Sequence, residues 1–537
     1  MRFWVYLTSA LLPFAGIPYL SAQRVMYCEP VNDRWTIRTE LVGKVGDYYW
    51  MQSTHRRRAT ARAVDPRETE GQTFDIYDSR MKPVNTFPSI DITEATQKEY
   101  LIPGDNAFDQ LIVLGGQRKT SFYVRRFQPD GTPVGRGRIL DSLPFNESGN
   151  SWLLVRSEDR QLILLVGFQS ITSYPPKLHA LLFDQDWHLL SRRVYASPNI
   201  TQPFIQDDFT NYPLENFTNS PVKLANNGQW LMMSPSRTDA NFFLLFHFDP
   251  MDTAMTIKPI GLPLNSGMED VNLAIDNQRE EVTAAILSTF HYDVLKNVHV
   301  VHYSLKQKAC DFDSSYRFST LVPGKVRDEN LTKESFIAVN GNGFMLLKEY
   351  GRPFTEWYDD EGTMDQQWDP SSLMIPTSTN IPEKAVRSPA LHDGYARYPS
   401  LCGLGLEHLR GDLGIFYFPC RRTDSCWSAM LSKEQITELN SPNLSYFAVP
   451  RGDRLFLLYN SFFRNENPYG STTVLDPRGD VLNDAISPMF WKFKTILQFQ
   501  QARQISGDEV VIPYNNYFGR SGFAVVKFNV STGIGEP

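Results

Sequence analysis

The chain has 537 residues, 42% of them hydrophobic and 13% aromatic, with 33 glycines and 35 prolines spread throughout. That length holds several ordinary domains or one repeat array, and the aromatics supply the large buried areas that sheet-rich packing needs. A net charge of −7 distributed along the chain argues against a nucleic-acid partner, which would call for a basic face.

Residues 1–22 read as a secretory signal peptide. Arg2 supplies a positive start, residues 3–12 an apolar segment, and Leu20-Ser21-Ala22 a cleavage site before Gln23. Pro13, Gly16 and Pro18 interrupt the apolar run, and an uncleaved membrane anchor is the alternative reading. Cys28 lacks the preceding small residues of a bacterial lipoprotein site, so no lipidation is expected. No later segment is long and apolar enough to cross a bilayer, so no stable membrane span is expected. The expectation is an exported protein, extracellular or periplasmic, with its folded domain over residues 23–537. The basic run HRRRATAR at 55–62 is followed at once by acidic residues and reads as a solvated loop.

From there one unit recurs: a Gly/Asn/Asp turn, an apolar strand, a variable loop, and a second strand ending in a tight turn. GDYYWMQS pairs with TFDIYDSRMKPV, FDQLIVLGG with SFYVRRFQPDGTPV, and RQLILLVGF with LHALLFDQDWHLL. NGQWLMM pairs with FFLLFHFDPMDTAM, EVTAAILST with VHVVHYSLKQKA, and GNGFMLLKEY with FTEWYDDEGTM. GDLGIFYF then pairs with CWSAMLSKEQI, GDRLFLLYN with STTVLDPRGDVL, and GDEVVIPYN with GFAVVKFNVSTG. These nine copies recur about every 56 residues between turns at Asp78 and Asn529, near the period of propeller blades. Stretches such as LIVL, LILLV and FAVV are apolar at consecutive positions, which marks strands covered on both faces. The predicted fold is all-β, a single large β-propeller of about eight or nine four-stranded blades. A strand within residues 34–42 is expected to complete the last blade and close the ring. Residues 365–400, rich in Pro, Ser and Thr, are expected to form a long inter-blade loop, with a linker between two sub-arrays as the alternative.

The remaining motifs are weighed against the turns and strands that carry them. Cys420 and Cys426 flank a five-residue polar loop, so they face each other across a predicted hairpin, and an exported protein permits a disulfide there. No zinc site is expected, because CxxC pairs with a supporting histidine are missing. His299 and His302 lie three apart on a strand and so point to opposite faces, which excludes joint chelation of one ion. His291 and His408 lack a supporting carboxylate or cysteine pattern. Asp359, Asp360, Glu361, Asp365 and Asp369 form an acidic loop without EF-hand spacing, read as a solvated turn rather than a calcium site. Arg-Gly-Asp occurs at 410–412, 451–453 and 478–480, each at a turn or strand entrance where Gly and Asp serve the backbone rather than adhesion. Asn-x-Ser/Thr triplets begin at Asn146, Asn199, Asn216, Asn330, Asn443 and Asn529, in numbers that do not imply glycosylation. No GxSxG, HExxH or P-loop pattern is present. No catalytic residue, metal or cofactor is therefore assigned.

The order YCEP, GKVGDYYW, FDIYDSRMKPV and then strand–turn units resembles uncharacterised exported propeller-like proteins of Bacteroidota. The resemblance implies the architecture and carries over no activity. The functional expectation is a non-enzymatic binding or scaffold protein, presenting loops and a central channel to an unknown protein or glycan of the cell envelope. The alternative is a carbohydrate-active hydrolase using channel carboxylates, among which the sequence singles out none.

Overall fold

The computed structural model describes residues 23–28, 36–56, 69–88, 96–115, 119–143, 152–169, 175–200, 213–214, 220–236, 239, 242–252, 254–262, 267–290, 295–319, 331–339, 343–353, 383–386, 408–419, 426–431, 435–437, 446–451, 454–461, 469–476, 479–486, 495–516 and 521–528. Within them the strands form eight sheets, antiparallel except where Glu383–Val386 pairs parallel with Trp427–Leu431, each built outward from an innermost strand. Blade 1 is Thr36–Val45, Tyr48–Arg56, Thr69–Tyr77 and Pro83–Pro88; blade 2 is Thr96–Pro103, Phe108–Gly115, Thr120–Phe127 and Arg138–Leu143. Blade 3 is Trp152–Arg156, Leu162–Gln169, Lys177–Asp184 and Leu189–Ala196; blade 4 is Val222–Leu224, Trp230–Pro235, Phe242–Phe248 and Thr256–Gly261. Blade 5 is Gly267–Asp276, Glu281–Phe290, Leu295–Ser304 and Ala309–Ser319. Blade 6 is Leu331–Val339, Gly343–Pro353, His408–Pro419 and Trp427–Leu431, with Glu383–Val386 and Gln435–Thr437 added beside them. Blade 7 is Tyr446–Arg451, Arg454–Ser461, Tyr469–Leu475 and Val481–Ile486. In blade 8, Thr495–Leu497 and Arg503–Gln504 share the innermost place, followed by Glu509–Asn516, Ser521–Phe528 and Gln23–Tyr27.

The apolar clusters show that the sheets stand in a ring. Trp50, Phe74 and Ile76 of blade 1 pack with Leu101, Phe108 and Phe127 of blade 2, and further clusters join blades 2 and 3, 3 and 4, 4 and 5, 5 and 6, and 6 and 7. The last cluster is shared by Leu458 of blade 7, Val511 and Val525 of blade 8, and Tyr49 and Met51 of blade 1. The arrangement is a closed eight-bladed β-propeller. Each middle strand is therefore covered on both sides, and each fully buried Leu, Val, Ile or Phe contributes roughly 1.5–3 kcal/mol to holding the blades together.

Two expectations are corrected here. The sixth and seventh hairpin copies are one blade, because Gly343–Pro353 pairs along its length with His408–Pro419. Residues 354–407 are the connection between these two strands, so the stretch 365–400 runs within blade 6 rather than between blades; apart from Glu383–Val386 it lies outside the described residues. The ring is closed by Gln23–Tyr27, which pairs antiparallel with Phe528 back to Ala524, whereas Thr36–Val45 is the innermost strand of blade 1. A local hairpin decides the second point: Gly46 at φ +56° makes a two-residue turn that pairs Val45 with Tyr48. Cys28 then pins the closing strand, its N–H donating to the Phe523 carbonyl (3.1 Å) and its carbonyl accepting from the Tyr514 hydroxyl (2.8 Å).

The repeated turn between the third and outermost strands has a common build. Asp78, Asp184 and Asp476 each accept, on Oδ1, the backbone N–H four residues on, at 2.8–2.9 Å. The residue before that donor is left-handed: Met81 (φ 66°), Trp187 (φ 64°) and Gly479 (φ 80°). Just beyond the turn, blades 1, 2, 3, 5 and 7 each carry a register shift that inserts one extra residue into the outermost strand, which sharpens the sheet twist. The twist lays the outermost strand against the next blade's turn. Asn85 donates to the Asp130 carbonyl (3.0 Å), Arg138 to that of Asp186 (2.6 Å), and Arg193 to that of Pro250 (3.1 Å).

Candidate functional site

Strand alternation divides the ring into two unlike faces. The turns between strands 1 and 2 and between strands 3 and 4 fall on one face, the turn face. The connections between strands 2 and 3, and those from blade to blade, fall on the other, the loop face. The turn face is laced across the axis. Arg160 of blade 3 donates to the Ile505 carbonyl of blade 8 (3.0 Å) and to Asp105 of blade 2 (3.1 Å). Asn277 of blade 5 donates to Glu158 of blade 3 (2.6 Å), while Asn226 of blade 4 joins both neighbours, accepting from Asp159 N–H (3.2 Å) and donating its own N–H to Asn277 (2.9 Å). Arg503 of blade 8 donates to the Leu41 carbonyl (3.0 Å), and Arg156 of blade 3 to that of Pro103. Burial and the nearby Arg160 press the Arg156 pKa down; burial likewise lowers that of Lys223 on the innermost strand of blade 4 to about 7, with Glu158 partly opposing.

The wall between blades 1 and 2 changes character along its height. Toward the turn face it is aromatic: Trp50 stacks on Phe108 at 4.1 Å, with Phe74, Phe87 and Phe127 around them. One strand alternation closer to the loop face, the same sides of the same strands carry Gln52 and Gln72 of blade 1 and Gln110 of blade 2. Glu99 joins them from the innermost strand of blade 2. It shares a side with Leu101, which packs toward blade 1, whereas Tyr100 and Ile102 pack toward blade 3. Gln110 Nε2 donates to Glu99 Oε1, and Gln52 Nε2 to Gln72 Oε1 (2.9 Å). Glu99 keeps 6% of its surface open, Gln52 8% and Gln110 none, while Gln72 is exposed at the rim. Burial raises the Glu99 carboxyl above its usual range, and the Gln110 hydrogen bond opposes that only in part. Gln110 Oε1 is buried without a hydrogen-bond partner, a state that costs about 1–3 kcal/mol. The tier is thus a polar layer within the wall between blades 1 and 2, in which burial disfavours the ionised form of one carboxyl.

The residues singled out in the sequence are dispersed. His299 faces Asp313 (2.7 Å), and His302 faces Asp311 (2.5 Å) and Glu281 (3.3 Å), so the two histidines serve separate partners, as their spacing requires. His291, the acidic loop at 359–369 and Cys420 lie outside the described residues, and His408 is described by its backbone alone. Cys426 is a buried free thiol whose pKa burial pushes up to about 11. Of the Arg-Gly-Asp copies, 410–412 lies within a strand, Arg451 ends one, and Gly479 and Asp480 belong to the Asp476 turn. Asn199 is the one glycosylation triplet whose asparagine is among the described residues. Among those residues no three His, Cys, Asp or Glu side chains are placed to hold a metal, and no helix is long and apolar enough to cross a membrane. Glu99 was not singled out in the sequence because each repeat copy contained only the two middle strands; an acid inside the strand TQKEYLIP was the available signal.

Neither a family model nor a curated protein sequence matches the chain. Solved structures do match at the level of architecture. The WD40 domain of SCAP from fission yeast matches at 8% identity over 94% of this chain and 98% of that one, with a TM-score of 0.37. The β-propeller domain of the Trilobed protease from Pyrococcus furiosus matches at 8% identity over 82% of this chain and 99% of that one (TM-score 0.31). A prolyl endopeptidase matches at 13% identity over 80% of this chain (TM-score 0.33), and the matched region spans 47% of that protein. At such likeness none of these neighbours bears on activity.

Proposed function

We propose that the protein is an exported binding or scaffold protein whose loop face presents the ligand surface. The observation that carries this reading is the contrast of the faces. The turn face is drawn together by hydrogen bonds across the axis, from Arg160 to Ile505 and from Asn277 to Glu158, while every connection between strands 2 and 3 starts and ends on the loop face. Connections displayed by a rigid frame are where binding residues concentrate. The hydrolase alternative draws on Glu99, a nearly buried carboxyl on a channel strand with a raised pKa, as a proton donor has.

Export is part of the proposal, because cleavage before Gln23 leaves the closing strand Gln23–Tyr27 whole. Pulldown from cell envelope, run beside a screen for turnover of glycan substrates, tests the functional reading. A stable envelope partner without turnover is expected, and turnover of any glycan overturns it in favour of the hydrolase. N-terminal sequencing of secreted material is expected to begin at Gln23; a chain retained in the cytoplasm overturns export.

A further inference from the structure

We propose that residues Gln23–Cys28 form a strap that leaves blade 8 and rejoins it as a unit, while the rest of the ring stays folded. The proposal concerns the frame and goes beyond the reading of the loop face. The strap is attached unlike the other outermost strands. In blades 1, 3 and 7 a turn capped by Asp78, Asp184 or Asp476 joins the outermost strand directly to the strand it pairs with. Gln23–Tyr27 has no such turn, because it pairs with Phe528 back to Ala524, which it reaches only by way of the whole ring. A strand held by pairing alone opens without disturbing the strand beneath it.

The joint between blades 8 and 1 has fastenings of its own. Glu509 of blade 8 accepts from Lys44 of blade 1 (3.0 Å) and from Lys527 (2.6 Å), and Arg503 donates to the Leu41 carbonyl (3.0 Å). Tyr49 and Met51 of blade 1 share an apolar cluster with Val511 and Val525 of blade 8. None of these groups lies on Gln23–Tyr27, so they persist when it leaves. The strap is fixed at its Cys28 end. There the Cys28 carbonyl accepts from the Tyr514 hydroxyl (2.8 Å), and its Sγ accepts the Phe523 N–H (3.1 Å). Tyr27 packs edge-on against Tyr514 at 5.6 Å. The thiol fits because residue 522 is glycine: a β-carbon there would lie 3.0 Å from Sγ and 2.6 Å from the Tyr514 ring. Release of the strap uncovers together the Cys28 side chain, 1% exposed when docked, and the edge of Ser521–Phe528.

The test is alkylation of the full chain by iodoacetamide across urea concentrations below the unfolding transition, with Cys28 and Cys426 followed separately by peptide mass spectrometry. Cys426, buried in the wall between blades 5 and 6, reports global opening. Cys28 is expected to label at least about tenfold faster than Cys426. Its rate should barely change with urea, because strap release exposes little surface, whereas that of Cys426 should climb steeply. Tyr514→Phe keeps the ring and removes the bond to the Cys28 carbonyl. It is expected to speed Cys28 labelling about three- to tenfold and to leave Cys426 unchanged. Gly522→Ala is expected to hold the strap off, so that Cys28 labels as an unfolded thiol while hydrogen exchange rises at residues 23–28 and 521–528 but not at 41–49. Equal rates with equal urea dependence for the two thiols overturn the proposal, since the strap then opens only with the whole ring. Labelling of Cys28 at the unfolded rate in the unsubstituted protein also overturns it, since the strap is then not docked.

Discussion

The turn face and the loop face are made from the same strands, yet they are held by different means. On the turn face, short connections order their own polar groups: Asp184 accepts two backbone N–H groups, and Trp187 turns inward from a left-handed position to donate to Asp109 (2.9 Å). Asp109 in turn receives Arg126 through two bonds of 2.8 and 3.0 Å, and Arg126 reaches Asp186 of the next blade (2.7 Å). Toward the loop face of the blade 1–2 wall the aromatic packing stops, and a partly unsatisfied polar tier replaces it. In this wall the aromatic packing is concentrated toward the turn face and the polar groups toward the loop face.

Four measurements break or sharpen that contrast. Trp187→Ala removes a buried indole and its bond to Asp109, so urea unfolding is expected to show a loss of about 3–5 kcal/mol. His247, packed edge-on against Tyr303 and bonded to it (3.0 Å), has its pKa lowered to about 4, chiefly by burial. The unfolded imidazole takes up its proton near the ordinary value of about 6.5. The folded state is therefore fully favoured above that pH and loses roughly 2–3 kcal/mol as pH falls from 6.5 toward 4. Thermal melts of His247→Phe across that range are expected to lack this component.

Arg160→Ala removes the axis-crossing bond to Ile505 and is expected to cost about 1–2 kcal/mol, since a charged donor is lost while the pair with exposed Asp105 adds little. Hydrogen exchange should rise at residues 157–161 and 505–508 and stay unchanged at the loop-face strand ends. The smallest effect is expected at the polar tier between blades 1 and 2. The raised carboxyl pKa makes ionised Glu99 unfavourable in the folded state, a cost that appears as pH rises through the ordinary carboxylate range. Glu99→Gln should thus raise stability slightly at pH 7 and not at pH 4. A loss at pH 7 instead would mean that the tier is as tightly organised as the turn face.

What could be read from the residues depended on how each strand is covered. The middle strands stood out because both sides meet a neighbouring blade, so Leu111, Ile112 and Val113, or Ile163 to Val166, are apolar in succession. The outermost strands did not, since Leu189, Leu190 and Val194 are about half exposed among arginines and serine. The innermost strands did not either, being mixed in polarity, as Thr96–Pro103 with its Lys98 and Glu99 and Val222–Leu224 with its central lysine show. Glu99 sits on such a strand and remained hidden with it.

The residues by themselves determined an all-β ring of repeated blades and the chemistry of its turns, because burial on both sides and left-handed turn geometry act over a few neighbouring positions. The tertiary structure decided that the blades number eight, that Gln23–Tyr27 closes them, and that Glu99 and Gln52 lie in one wall between blades. These depend on pairings across the whole chain, as between Val25 and Val526. Such contacts form only when the ring closes, and nothing in the sequence near either partner encodes their register.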